Sequence, residues 1–137
     1  MMFLLDTNVI SEVRRADRCN ANVASWFANV NDADLFISVV VTGEVRQGIE
    51  RLRRRDSHQA KILERWLEDV VTSYADRILP IDGRVADVWG RLGAVRPIPV
   101  IDGLLAATAR VHDMTLVTRN APDVEGLGVP VLNPFDA

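Results

Sequence analysis

The sequence predicts an α/β fold of three layers, with helices on both faces of a mainly parallel sheet of about five strands. Short apolar runs bounded by Asp, Asn, Pro or Gly recur five times along the chain, which suits buried strands. Longer segments with apolar residues at helical spacing separate them, and alternation of the two builds parallel sheets. The length, 137 residues, suits one domain of about 100–200 residues, so a single unit over 1–137 is expected.

The strand runs are Met2–Leu5, Leu35–Val39, Arg77–Ile81, Thr115–Thr118 and Val129–Leu132. Between the first two, Val23, Phe27 and Val30 fall at i, i+4, i+7 on one helical face. Ile62, Trp66 and Val70 repeat the spacing in a segment opening at Asp56, and Val85, Val88, Trp89 and Leu92 do so before the fourth strand. Gly103 to His112 is apolar almost all round, as a buried helix is.

Composition excludes several classes. Hydrophobic residues are 48 % and charged residues 26 %, values that rule out wholesale disorder, a collagen-like chain and a disulfide scaffold. The one cysteine, Cys19, cannot form an internal bridge and fits a cytoplasmic protein. No apolar run approaches the ~20 residues of a membrane span, and no basic region precedes the first one, so neither an anchor nor a secretory signal is expected. The net charge of −3 gives no overall attraction for nucleic acid, so phosphate binding must come from local charge or a bound metal.

In parallel α/β sheets the ligand crevice lies at the carboxyl ends of the strands. Asp6, Thr7 and Asn8 come directly after the first run, Glu44 lies six residues beyond Ser38, and Thr118, Asn120 and Asp123 mark the end of the fourth run and the turn beyond it. Asp102 stands at the entrance to the apolar helix. Each has a bland explanation: a helix N-cap for Asp6 or Asp102, a buried ion pair for Glu44, a polar turn for the stretch from Thr118 to Asp123. Their coincidence at one edge argues for a site. Clustered carboxylates repel and call for a divalent cation; oxygen ligands without a nearby Cys or His suit Mg²⁺ or Mn²⁺ rather than zinc. His58 and His112 lack zinc spacing, and neither a Walker loop nor a nucleophile elbow is present.

These motifs resemble those of the PIN-domain ribonucleases, specifically VapC toxins of the FitB-like group. The resemblance rests on Leu5-Asp6-Thr7-Asn8-Val9-Ile10-Ser11-Glu12, on Ile37 to Gly48 around Glu44, on Asp102-Gly-Leu-Leu-Ala-Ala-Thr-Ala109, on Leu116 to Asn120 with Asp123, and on Leu132-Asn133-Pro134-Phe135. It implies an acidic quartet of Asp6, Glu44, Asp102 and Asp123, with Asp6 and Asp102 as primary metal ligands and Thr7, Asn8, Thr118 and Asn120 in support. It further implies Mg²⁺ or Mn²⁺, RNA cleaved to a 5′-phosphate and a 3′-hydroxyl, a homodimer, and a VapB-type antitoxin that blocks the site. Two departures stand out: Gly103 where the family usually has Ala, and Val124 where Phe often comes after the last Asp.

Two rival classes share part of this pattern. A phosphotransfer or phosphatase domain has a similar acidic pocket, but the sole lysine, Lys61, lies in a helical stretch, and Asn8 stands where the haloacid-dehalogenase pattern needs a second Asp. The other rival is a non-catalytic binding module on the same fold. For RNA contacts the densest basic cluster is Arg46, Arg51, Arg53, Arg54 and Arg55. At about 100° per residue, Arg51 and Arg55 project within roughly 20° of Glu44, with Arg46 and Arg53 opposite, provided the helix continues that far.

Overall fold

The computed structural model describes residues 1–136. Its sheet is built from β1 (Phe3–Leu5), β2 (Leu35–Ser38), β3 (Ile78–Leu79), β4 (Thr115–Val117) and β5 (Val131–Leu132), in spatial order β3-β2-β1-β4-β5. All neighbours are parallel, with Phe3 opposite both Leu35 and Thr115. The five expected runs are thus the five strands, trimmed at their ends where backbone pairing stops.

The helices are α1 (Thr7–Val13), α2 (Ala21–Asn29), α3 (Val39–Arg53), α4 (Ser57–Tyr74), α5 (Gly83–Val95), α6 (Val100–Val111) and α7 (Ala121–Val124). The chain steps from β1 to β2 to β3 in one direction, then returns past β1 to β4 and β5. Right-handed crossovers therefore put α1 to α4 on one face and α5 to α7 on the other. The core lies between these layers and the sheet, where Leu4, Leu5, Ile37, Leu105 and Val117 are fully buried. A smaller cluster of Ile49, Ala60 and Leu67 joins α3 to α4.

Local signals explain most boundaries. Asp6, Asn20, Ser38, Asp56 and Asp82 cap α1 to α5, each accepting from a backbone N–H at the helix start. At the far end of α6, Asp113 adopts a left-handed φ of 55°. Met114 N–H then bonds Ala109 O at 2.8 Å and Asp113 N–H bonds Arg110 O at 3.4 Å, the doubled closure of a Schellman motif.

Three details differ from expectation. The packing face of α4 centres on buried Ala60 and Leu67 with half-buried Leu63, whereas Ile62 is 47 % exposed; Trp66 and Val70 do pack against the main core. Val30 lies just past α2 as its C-cap. Helix α6 begins at Val100, so Asp102 sits inside the first turn and Pro99 holds the cap position. The N-cap explanation of Asp102 therefore fails.

Candidate active site

The strand order reverses between β1 and β4, and ligand crevices in open α/β sheets form at such a switch point. Here the two strands end side by side. Asp6 N–H bonds Val117 O at 2.9 Å and Thr118 N–H bonds Leu132 O at 3.0 Å, which brings both side chains to the carboxyl edge. Asp6 is 5 % exposed and caps α1, its Oδ1 accepting from Thr7 N–H at 2.6 Å. The other oxygen, Oδ2, accepts from the Thr118 hydroxyl at 2.7 Å and from Asn8 Nδ2 at 3.3 Å. Cap and site explanations thus coincide on one carboxylate.

Thr118 and Asn8 lock this arrangement. The Thr118 oxygen accepts from Asn120 N–H at 3.0 Å, which turns the chain out of β4, and Asn8 Oδ1 accepts from Arg119 N–H at 3.1 Å. Thr7 reaches the other way, its hydroxyl donating to Glu44 Oε1 at 2.7 Å. Glu44 lies in the second turn of α3, half-buried, and has a hydroxyl rather than the arginine of an ion pair as its partner. Asp102 reaches the same edge because α6 runs antiparallel to its neighbouring strands before feeding β4, so its first turn is at their carboxyl ends.

Electrostatics tie the four acids together. The Asp102 carboxyl is pushed up to about 6, first by burial and then by the negative charges of Asp6, Asp123 and Glu44, with the Asn120 side chain pulling the other way. Asp6 is also raised: burial outweighs the bonds from Thr118, Thr7 and Asn8, and Glu44 adds to the rise. Like charges near one another without a cation raise each other in this way.

Asp123, exposed in the short α7, has an unforeseen anchor. Arg96, at the end of α5, donates from Nη2 to the carbonyls of Asp123 at 3.1 Å and Glu125 at 2.8 Å. Val124, in the place where the family often has Phe, is buried. The other departure is explained by contact: a Cβ on Gly103 would lie 3.1 Å from the Trp89 ring, so glycine lets the indole of α5 pack onto the turn carrying Asp102.

The basic cluster divides differently from its helical projection. Helix α3 stops at Arg53 with Arg54 as C-cap, so Arg55 lies in the turn before α4. Arg55 lines a groove of about 360 Å³ that starts at Thr7 and Glu44. Arg51 lies instead in a separate groove beside Glu50, Arg53 and Arg54. Arg46 and Arg53 bond Glu50 and Glu64 across α3 and α4.

The donor set suits a hard divalent cation: oxygen atoms only, negative, and uncompensated. Among the described residues no three acidic, histidine or cysteine side chains stand close enough to form a ready-made metal group, so the acids share a field without yet converging on a point. His112 lies at the C-terminal end of α6, away from this edge, and His58 at the exposed start of α4.

Residues 3–121 match the PIN domain family. The chain is 32 % identical to Toxin FitB of Neisseria gonorrhoeae, covering 98 % of this chain and 99 % of that one. It is 30 % identical to VapC ribonuclease Y4jK of Sinorhizobium fredii, over 98 % and 99 % of the two chains. The crystal structure of FitAcB from Neisseria gonorrhoeae superimposes with a TM-score of 0.90 at 32 % identity, over 99 % of this chain and 100 % of that one. Matched from its first strand to the turn after the fourth, and similar to these relatives end to end, the chain belongs to the PIN-domain family.

Proposed function

We propose that this chain is a Mg²⁺- or Mn²⁺-dependent endoribonuclease of the VapC type, acting on RNA in the cytoplasm as a homodimer and restrained by a VapB-type antitoxin. The observation that carries this reading is the gathering of acids at the switch point of the sheet, where Asp6 is held by Thr118 and Asn8, Glu44 by Thr7, and Asp102 is raised first by burial and then by the charges of Asp6, Asp123 and Glu44. The names of the relatives, a toxin and a ribonuclease, and the structure of FitAB bound to a DNA fragment, which is 32 % identical over 99 % of this chain, support the toxin and partner assignments.

Asp6, Asp102, Glu44 and Asp123 would hold the cation. When bound, it supplies a Lewis acid for a phosphate oxygen and a lowered pKa for the attacking water. Asp6 is oriented by Thr7, Asn8 and Thr118, which would hold its carboxylate in place for the cation. Thr7 steadies Glu44, and Arg96 ties down the backbone that carries Asp123.

The test is cleavage of RNA by the purified chain freed of its partner. Activity should require Mg²⁺ or Mn²⁺ and stop on adding EDTA. Undiminished cleavage in EDTA would refute the metal-dependent mechanism.

A further inference from the structure

The groove that begins at Glu44 runs between α1, α3 and α4; Val45, Ile49, Leu52, Leu63 and Trp66 make most of its lining apolar, and two cations stand along it. Arg14, at the C-terminal end of α1, and Arg55, in the α3–α4 turn, both line it and both are exposed. Among the described residues neither has a carboxylate within ion-pair distance. Asp56, next to Arg55, is engaged at the start of α4, accepting from Gln59 N–H at 3.0 Å, and Glu12, two positions before Arg14, pairs with Arg15. The Arg14 guanidinium lies over the Trp66 ring, 5.7 Å from its centroid, and Trp66 is half-buried in the groove floor. A flat cation held on an indole is a surface on which a nucleobase stacks.

We propose that this groove carries the single-stranded RNA next to the scissile phosphate, with Arg14 and Arg55 on its backbone and the Arg14–Trp66 pair beneath a base. The inference rests on the nuclease reading for what happens at the acids, but the binding path can be tested without cleavage. Charge argues for it. Four acids and a net charge of −3 repel a polyanion, so cations contiguous with the site must offset that repulsion if RNA is to enter. Of the arginines near α3, Arg46 and Arg53 are neutralised by Glu50 and Glu64, and Arg51 and Arg54 line a different groove. That leaves Arg14 and Arg55 beside Glu44. The volume, about 360 Å³, is at the small end for ligand pockets. It suits an unstacked base and its phosphate, whereas a duplex would meet only the rim.

The experiment uses the Asp102→Asn protein, which binds without cutting, and a fluorescein-labelled single-stranded RNA of roughly 10 nucleotides, monitored by anisotropy across a salt series. Arg14→Ala and Arg55→Ala should each weaken binding about 3- to 10-fold. Each should also flatten the slope of log affinity against log salt by about 0.7, the value for one lost phosphate contact on a single strand. Arg14→Lys should keep the slope yet still lose affinity, because the ammonium restores charge but not the stacking plane. Trp66→Phe should weaken binding with the slope unchanged. Arg51→Ala and Arg46→Ala should alter neither.

Equal losses from all the arginines, or salt slopes untouched by Arg14→Ala and Arg55→Ala, would overturn the path. So would Arg14→Ala and Arg55→Ala variants that bind RNA normally but release a protein partner, since the groove would then belong to that partner. Failure of the nuclease reading looks different: wild-type protein would bind RNA through Arg14 and Arg55 yet leave it uncut with Mg²⁺ or Mn²⁺.

Discussion

Helix α3 carries two charged clusters, and they behave in opposite ways. In its second half Arg46 and Arg53 meet Glu50 and Glu64, with contacts of 2.9 to 3.2 Å around Glu50. Those bonds draw the Glu50 carboxyl down to about 2 and lower Glu64, and they raise both arginines. Six residues before Glu50, about 9 Å along the axis, Glu44 bonds a hydroxyl instead of an arginine, and nearby Asp102 is pushed up to about 6, first by burial and then by the charges of Asp6, Asp123 and Glu44. The first cluster is complete and joins two helices. The second is electrostatically unfinished, and its instability is what a cation would relieve. At Asp6 and Asp102 the carboxyls shift upward, opposite to Glu50 and Glu64, as groups at a functional site often do.

The sharpest break of this contrast is by amide substitution. Asp6→Asn and Asp102→Asn should each lower cleavage at least about a hundredfold, as loss of a metal ligand or its shell does. Glu50→Gln should leave the rate unchanged, because that carboxylate is already neutralised. Both oxygens of buried Asp6 accept hydrogen bonds, so Asp6→Asn sets an amide N–H where an acceptor stood and its melting temperature is read beside its rate. Steady-state rates on one RNA measure all three, and equal losses would erase the distinction between the clusters.

Arg96→Ala comes next in size. It frees the carbonyls of Asp123 and Glu125 and should lower kcat about 10-fold while changing the melting temperature little. Adding metal in excess should recover part of the rate if the defect is a loosened ligand. A loss of stability with kcat intact would make Arg96 a fold residue only.

Without metal, Asp102→Asn should raise the melting temperature by a few degrees, since it removes one of several repelling charges. Saturating Mn²⁺ should stabilise the wild type by mass action and leave Asp102→Asn nearly unmoved. Thermal scans with and without EDTA decide this, and a variant less stable than wild type in EDTA would contradict the unfinished cluster.

The smallest effects are two pH slopes of opposite sign. The metal-free fold binds extra proton at Asp102, whose folded value of about 6 lies above the ordinary 3.8. That contribution is present below about pH 4 and lost as pH rises through about 6. Glu50, lowered from 4.5 to about 2, contributes above its ordinary value and loses that as pH falls toward 2. Denaturation of wild type, Asp102→Asn and Glu50→Gln at stepped pH should remove one slope in each variant.

Much of the site was legible because strand ends can be read. Asp6, Thr118 and Asn120 stand at the ends of compact apolar runs, and parallel strands deliver the residues at their carboxyl ends to one edge. The supporting bonds of Thr7, Asn8 and Thr118 involve the polar residues next to the acids in the sequence. Projection along α3 separated Arg46 and Arg53 from Glu44 but missed at Arg51, which lines a separate groove although it lies within the helix, while Arg55 reaches the groove of Glu44 from the turn after Arg53. Arg96 and Arg14 had no signal. Their partners, Asp123 and Trp66, lie 27 and 52 positions away, and no local pattern records such meetings.

The amino-acid order alone determined the alternation of strands and helices, the cap at Asp6 and the standing of Asp6, Thr118 and Asn120 at or beside strand ends. These depend on neighbours within a turn or a strand, where hydrogen-bond demand and apolar period act over a few residues. Tertiary structure decided which charges are neutralised and which are left facing one another. It placed Glu50 against two arginines and Glu44 against a hydroxyl, set Asp102 inside a helix rather than at its cap, and opened the groove beside Arg14 and Arg55. Charge interactions act through space over distances that sequence separation does not measure, and desolvation depends on everything packed around a group.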